Sequence, residues 1–423
     1  MAAKPYSVRW GILATGGIAT SRSPFPYPSS PRAITNFPPR PAFTKDLLTN
    51  PATRSVTDIQ HIVSAAASSS SSSRAQAFLT SVQAPPSAKA YGSYHELAHD
   101  PDLDIIYIAT PHSHHFQNAM LCLEAGKNVL CEKSLTVNAA QARKLVAKAK
   151  EKGVFLMEAV WTRYFPLSIK IREMVQDGRI GKVERVFSDL SFNSASDDDK
   201  STELSFPDEN RMINVDLAGG ALLDLGIYSL TWQFQILYLC AERKERPRVQ
   251  AAVQRYRTGA DEMTSMLLSW EGNRAVGIAT TGLRVATQPH GEGSLGTGPS
   301  CRIQGTKGEI QVFGPLFRPL LYKVVKHGDE SGEIEEVFCP IPRDPEREGK
   351  DGEKGWGHGM FWEADEVARC LRDGKVQSEI LTWDESLVIM EVMDEVRRQG
   401  GVVYPKEIES DVYDEKSPLN GKS

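Results

Sequence analysis

The chain has 423 residues, 40% of them apolar and 24% charged, and its 49 basic against 54 acidic side chains leave a net charge of −5. That length suits two domains, each large enough for its own core. The acidic balance argues against a nucleic-acid-binding role, which usually shows a basic face, and no apolar run is long enough to span a membrane.

In chain order, residues 8–13 read as a short apolar strand leading into Ala14-Thr15-Gly16-Gly17-Ile18-Ala19. In the dinucleotide fingerprint, glycines let backbone amides and a helix N-terminus approach a pyrophosphate. Ala14 takes the first glycine position, Gly16 the second and Ala19 the third, with Gly17 and Ile18 between. A glycine-rich turn after a strand can also be only a turn. Residues 21–42 then interrupt the pattern with seven prolines. Each proline removes an amide and disfavours helix at the residue before it, so no helix is expected through the segment. Residues 16–20 should hold at most a turn and 43–49 a short helix, with Phe43, Leu47 and Leu48 on one apolar face. The insert reads as a disordered loop or as an unspliced, in-frame intron.

Residues 61–67 form a second strand, which runs into Ser68, Ser69, four more serines and Arg74. NAD enzymes usually place an acid there to hold the ribose 2′-hydroxyl. Hydroxyls and a guanidinium instead favour a 2′-phosphate, hence NADP; the alternative is a flexible low-complexity loop. The run 104–109 is unbrokenly apolar, as a central parallel strand should be. After it, Thr110-Pro111-His112-Ser113-His114-His115 reads as a loop lining the nicotinamide pocket, since no ligand partner at metal spacing lies nearby. Strand 128–131 ends in Glu132-Lys133, and strand 155–158 leads into Trp161, Arg163 and Tyr164, a cleft wall. Helices are expected at 74–82, 94–99, 116–125 and 138–152. This strand–helix alternation predicts a parallel sheet covered by helices.

The second half alternates apolar and polar at 183–192, 248–256, 264–270, 275–281, 301–304 and 309–313, the pattern of half-buried antiparallel strands. Helices are expected at 221–239, 360–372 and 385–399, the last with Thr382 and Glu385 as a capping box and Gly400 as its stop. Asp224 and Tyr228 are four apart and so share a helix face. The fold expected is an α/β Rossmann domain (1–158, with the insert), then an α+β domain (159–409) with a large, mostly antiparallel open sheet, and a frayed polar tail (410–423). The six cysteines lack metal-type pair spacing, and the N-terminus carries no apolar leader. Both favour a reduced, cytoplasmic protein.

The segments WGILATGGIA, ATPHSHH, CEKS, MEAVWTRYFP, GGALLDLGIYS, RIQGTKGEIQVFGP and GMFWEADEVARC, in this order, resemble the glucose–fructose oxidoreductase/inositol dehydrogenase-like family. The branch they resemble holds dimeric dihydrodiol dehydrogenases and NADP-dependent D-xylose 1-dehydrogenases. The resemblance implies hydride transfer between NADP and a small substrate, and a homodimer through the C-terminal sheet. It implies Lys133, Tyr228 and Asp224 as catalytic residues. Ser134 replaces the proline of the family's Glu-Lys-Pro motif. Cofactor contacts are expected from Gly16, Gly17, Ile18, Ser68, Ser69, Arg74, Thr110, Pro111, His115, Glu132, Lys133, Trp161 and Arg163, and substrate contacts from His112, Lys133, Trp161, Arg163, Asp224 and Tyr228. Lys133 is expected to lower the Tyr228 pKa so that the phenol can act as base, or to hold the substrate hydroxyl itself. No metal is implied. Three readings stand: sugar oxidation at the anomeric carbon, oxidation of a trans-dihydrodiol, and a non-catalytic sensor that binds a partner protein.

Overall fold

The computed structural model describes residues 4–15, 39–196, 201–289, 298–328, 334–347 and 358–421. The expectations for Gly16, Gly17 and Ile18, and for most of the insert, lie outside the described residues.

Six strands form the first sheet: β1 (Tyr6–Leu13), β2 (Ile59–Ala67), β3 (Lys89–Tyr91), β4 (Ile105–Ile108), β5 (Asn128–Glu132) and β6 (Leu156–Ala159). Their order is β3-β2-β1-β4-β5-β6, and every pairing is parallel. This is the doubly wound dinucleotide topology, whose ligand crevice opens at the carboxyl ends of β1 and β4. Strand β4 is buried at every position, as its unbroken apolar run requires.

Helix α1 spans Pro39–Leu47. It therefore begins inside the insert, against expectation. The physical reason is positional: Pro39 and Pro41 fall in the first turn, where amides have no intrahelical acceptor to lose. Phe43 and Leu47 are buried, as the apolar face predicts. Phe43 stacks on Tyr107 at 3.9 Å and meets Trp10 edge-on at 5.4 Å, which ties the helix to β1 and β4.

The other helices of this half are α2 (Ser72–Ser81), α3 (Tyr94–Ala98), α4 (His112–Glu124) and α5 (Ala139–Lys152). Helix α4 starts four residues earlier than its apolar pattern suggests, so the three histidines stand in its first turn rather than in a loop. Asn138 caps α5 by accepting from Gln141 N, and Gly153 ends it with φ 64°.

Helix α6 (Pro166–Gln176) leads into the second sheet. Its strands are β7 (Val183–Ser191), β8 (Arg248–Arg255), β9 (Asp261–Trp270), β10 (Ala275–Gly282), β11 (Cys301–Gly305), β12 (Gly308–Phe313), β13 (Leu321–Lys326) and β14 (Glu335–Phe338), in the order β14-β13-β12-β11-β7-β10-β9-β8. Only β7 and β10 pair in parallel. One helical stretch lies against this sheet. It is wide-turned at Leu222–Gly226, regular over α7 (Ile227–Phe234) and wide-turned again at Gln235–Leu239.

Helices α8 (Phe361–Arg372) and α9 (Trp383–Gly400) return to the first half. Asp365 of α8 pairs with Arg54, and Asp46 accepts the amides of His358 and Met360. Thr382 caps α9 through Glu385 N, but the reciprocal half of the box is not formed, because the Glu385 carboxylate is spent on Arg163. The helix continues through Gly400 and stops at Gly401. The tail is also not frayed. Beyond α10 (Lys406–Glu409) it runs along α4, and Asn420 is buried.

Candidate active site

The site forms where the strand ends of the first sheet meet the helical stretch of the second half. Gly219 and Gly220 make the encounter possible. A Cβ on Gly219 would lie 2.7 Å from the Arg211 carbonyl, and one on Gly220 would lie 2.1 Å from Asp261 Oδ1. Only glycine lets the loop carrying Arg211 pass this close to the helix start. Asp261 Oδ2 then accepts Leu222 N at 2.7 Å, which anchors that start.

Lys133, at the end of β5, donates to Asp224 Oδ1 at 3.0 Å and to the Asp224 carbonyl at 2.6 Å. Arg211 Nη1 donates to the same Oδ1 at 2.9 Å. Burial alone would raise the Asp224 pKa, but Arg211 and then Lys133 outweigh it and hold the carboxyl well below its ordinary range. Asp224 is therefore a fixed anion. Lys133 Nζ also lies 5.1 Å from the Tyr228 ring centroid.

Tyr228 Oη accepts the Trp161 indole hydrogen at 2.6 Å. The expectation that Lys133 depresses the Tyr228 pKa is not met. Burial, and next the Glu132 charge, push the phenol well above its ordinary value, and the Lys133 ammonium is occupied by Asp224 rather than by the phenol oxygen. Tyr228 keeps its proton in this arrangement. Phe317 lies 5.8 Å from Trp161 and 5.9 Å from Tyr228 between ring centroids, and adds an aromatic wall. Neither Phe317 nor Arg211 was marked by a motif in the sequence; the glycine pair that admits Arg211 was the one available signal.

His112 is buried edge-on to His115, and burial, reinforced by His115, pushes its pKa down to about 3. It is a neutral ring close to the Asp224 group. Three residues expected to touch ligand are turned to protein partners instead. Arg163 is fully buried: its guanidinium pairs with Glu385 at 2.8 Å and donates to the Ile380 carbonyl at 2.7 Å, so it holds α9 and does not reach the cleft. His115 sets its ring nitrogens against the carbonyls of Ser134 and Thr110, at 2.8 and 2.9 Å, tying the turn after Lys133 to the turn after β4. Glu132 accepts from the Tyr107 hydroxyl and the Lys133 amide. Burial raises its pKa.

At the end of β2 no acid is present. Ser68 Oγ and, after β4, Thr110 Oγ1 are buried and lack a hydrogen-bond partner. A native interior seldom leaves such hydroxyls unmatched, so both fit a polar ligand in the crevice. Ser69 is half-buried, and Arg74 is exposed at the start of α2, 3.3 Å from Ser70 Oγ. Pro111 is the N-cap residue of α4. Among the described residues no group of three His, Cys, Asp or Glu could hold a metal.

A doubly wound sheet with a polar crevice, closed by a second domain whose helical stretch carries a lysine-paired aspartate and a tyrosine, defines a two-domain oxidoreductase of the nicotinamide class. Residues 48–160 match an oxidoreductase family with an NAD-binding Rossmann fold, and residues 168–311 match the GFO/IDH/MocA C-terminal domain. The chain belongs to the GFO/IDH/MocA family. It is 56% identical to the D-xylose 1-dehydrogenase (NADP(+)) of Hypocrea jecorina over 98% of both chains. It is 32% identical to the trans-1,2-dihydrobenzene-1,2-diol dehydrogenase of Homo sapiens, over 95% of this chain and 99% of that one. The crystal structure of a 3-ketoreductase from Actinomadura kijaniata with NADP and TDP-benzene shares the fold, with a TM-score of 0.66 at 19% identity over 93% of this chain and 98% of that one.

Proposed function

We propose that this chain is an NADP-dependent dehydrogenase that oxidises D-xylose at the anomeric carbon to the lactone. The chemistry rests on one observation, the Lys133–Asp224–Arg211 group beside the Tyr228 phenol at the strand ends. The choice of sugar rests on the 56% identity to a D-xylose 1-dehydrogenase.

When bound, NADP supplies the hydride acceptor. Ser68, Ser69 and Arg74 would hold its 2′-phosphate, and Thr110, Pro111 and Trp161 would line its nicotinamide end. Tyr228 keeps its proton and orients a sugar oxygen by donating to it. Lys133 acts as a proton relay: its ammonium passes one proton to solvent as Nζ takes the proton of the reacting hydroxyl. Arg211 shares the Asp224 charge, so the carboxylate stays paired while Lys133 relays the proton. Trp161 and Phe317 exclude water, and His112 contributes a neutral polar edge.

A second reading, oxidation of a trans-dihydrodiol, is favoured by the 32% identical relative. NADPH formation measured with D-xylose and with a cyclic trans-dihydrodiol separates the two: turnover of the diol alone sinks the sugar assignment, and turnover of neither sinks both.

The protein also reads as a homodimer joined through the second sheet, whose β9 exposes Leu267; a monomeric mass in light scattering would refute this. Its six cysteines are free, which suits a reducing, cytoplasmic setting.

A further inference from the structure

Deepening the NADP reading, on which it rests, we propose that the C-terminal tail is a strap that completes the adenosine side of the cofactor site and governs how tightly the cofactor is held.

The tail is fastened to the first domain by side-chain amides. Gln141 Nε2 donates to the carbonyls of Ile408 and Ser410, at 2.6 and 2.9 Å. Gln117 of α4 donates to the Val412 carbonyl at 2.9 Å and accepts from Asp414 N at 3.0 Å. Asn118, also in the second turn of α4 and fully buried, donates to the Leu419 carbonyl at 2.9 Å and to Asn420 Oδ1 at 3.0 Å. Such bonds fix the path of a segment that buries little apolar surface of its own.

The path is the informative part. Gly421 lies against Ser69, the second residue beyond β2: a Cβ placed on it would come within 3.0 Å of Ser69 Cβ and 3.2 Å of the Ser69 carbonyl. The tail thus passes from α4, which follows β4, to the end of β2. In the sheet order, β2 and β4 are the two neighbours of β1. The strap therefore spans the edge of the switch-point crevice, on the side where the ribose and adenine of a dinucleotide lie.

A ligand-facing signal accompanies it. Ser68 Oγ after β2 and Asn118 Oδ1 on α4 are buried polar atoms without partners. They stand on two segments that the tail links, the end of β2 and α4, and a hydroxyl with an amide oxygen suits a nucleoside. Lys133 and Tyr228, at the other end of the site, take no part in holding the strap.

The test compares the full chain with a chain ended after Glu409 and with Asn420→Ala. Titration calorimetry measures NADP and adenosine 2′,5′-bisphosphate binding, and hydrogen exchange follows the tail amides. Loss of the strap is expected to weaken both ligands about tenfold, by the same factor, and either ligand should slow exchange over 412–420 in the full chain. Equal or tighter binding by both altered chains, with native circular dichroism, overturns the strap alone. Failure of the intact chain to bind either ligand overturns the cofactor reading, and the strap with it.

Discussion

Lys133 and Arg211 meet on one oxygen, Asp224 Oδ1, at 3.0 and 2.9 Å. The two cations are not equivalent. Lys133 stands over the Tyr228 ring and is the proton relay proposed above, whereas Arg211 touches the site through Asp224. Lys133→Met should bind NADP with nearly unchanged affinity while kcat falls by about 10²-fold or more, the usual worth of a proton-transfer group. Arg211→Met should lower kcat less, by about tenfold, and change its pH profile, because Lys133 then becomes the only cation on Asp224. Steady-state rates across pH for both variants check this. Normal turnover by Lys133→Met removes the assignment, and an unaltered pH profile in Arg211→Met removes the division of labour.

Arg163 and Glu385 form a pair that is almost wholly buried. Removing one partner of such a pair leaves an unmatched charge and costs about 3–5 kcal/mol. Arg163→Met should therefore lower the urea midpoint sharply while the folded fraction keeps its substrate KM. Arg163→Met combined with Glu385→Met should recover part of the loss, with the carbonyls of Thr231 and Ile380 left as the residual cost. A raised KM at unchanged stability would return Arg163 to the cleft.

What the sequence made legible follows from range. Strands such as β4 and helices such as α5 announce themselves through local periodicity and caps, and Lys133, Asp224 and Tyr228 stand in compact motifs. What escaped depends on contacts between distant segments. Arg163 reads as a cleft cation until Glu385, far along the chain, is seen to neutralise it. Arg211 precedes its motif and arrives only because Gly219 admits its loop. The polar tail reads as frayed by composition, because most of its anchors are amides on α4 and α5 rather than its own side chains. Strands β13 and β14 were missed too, the latter short and half exposed.

Glu158 makes stability depend on pH. Burial pushes its pKa up to about 7, against the hydrogen bonds it accepts from Ser386 and the Leu135 amide. The folded chain then keeps a proton that the unfolded chain releases near pH 4.3, the ordinary value of about 4.3 for glutamate. The stabilisation is complete below that pH and is lost as the pH rises through about 7, a change of about 4 kcal/mol. Glu158→Gln mimics the protonated form, its carbonyl still accepting from Leu135 N and its amide able to donate to Ser386 Oγ. The variant should match the parent at pH 4 and exceed its urea midpoint at pH 8. Parallel midpoints at both pH values would refute the assignment.

Ala14 tests the phosphate turn itself. It occupies the first glycine position of the fingerprint and is held at φ 84°, fully enclosed at the end of β1. An L-residue in the left-handed region is strained by about 1–2 kcal/mol, and the greater chain entropy of glycine when unfolded returns about 0.5–1 kcal/mol of any gain. Ala14→Gly should therefore stabilise the protein modestly, by about 0.5–1 kcal/mol, which raises Tm by about 2 °C in a domain of this size. The substitution also removes a methyl group from a turn that must lie close to the pyrophosphate. NADP should accordingly bind the variant at least as tightly as the parent. Differential scanning calorimetry with and without NADP reads both effects. A lower Tm would mean that the Ala14 methyl is worth more in packing than its backbone costs in strain.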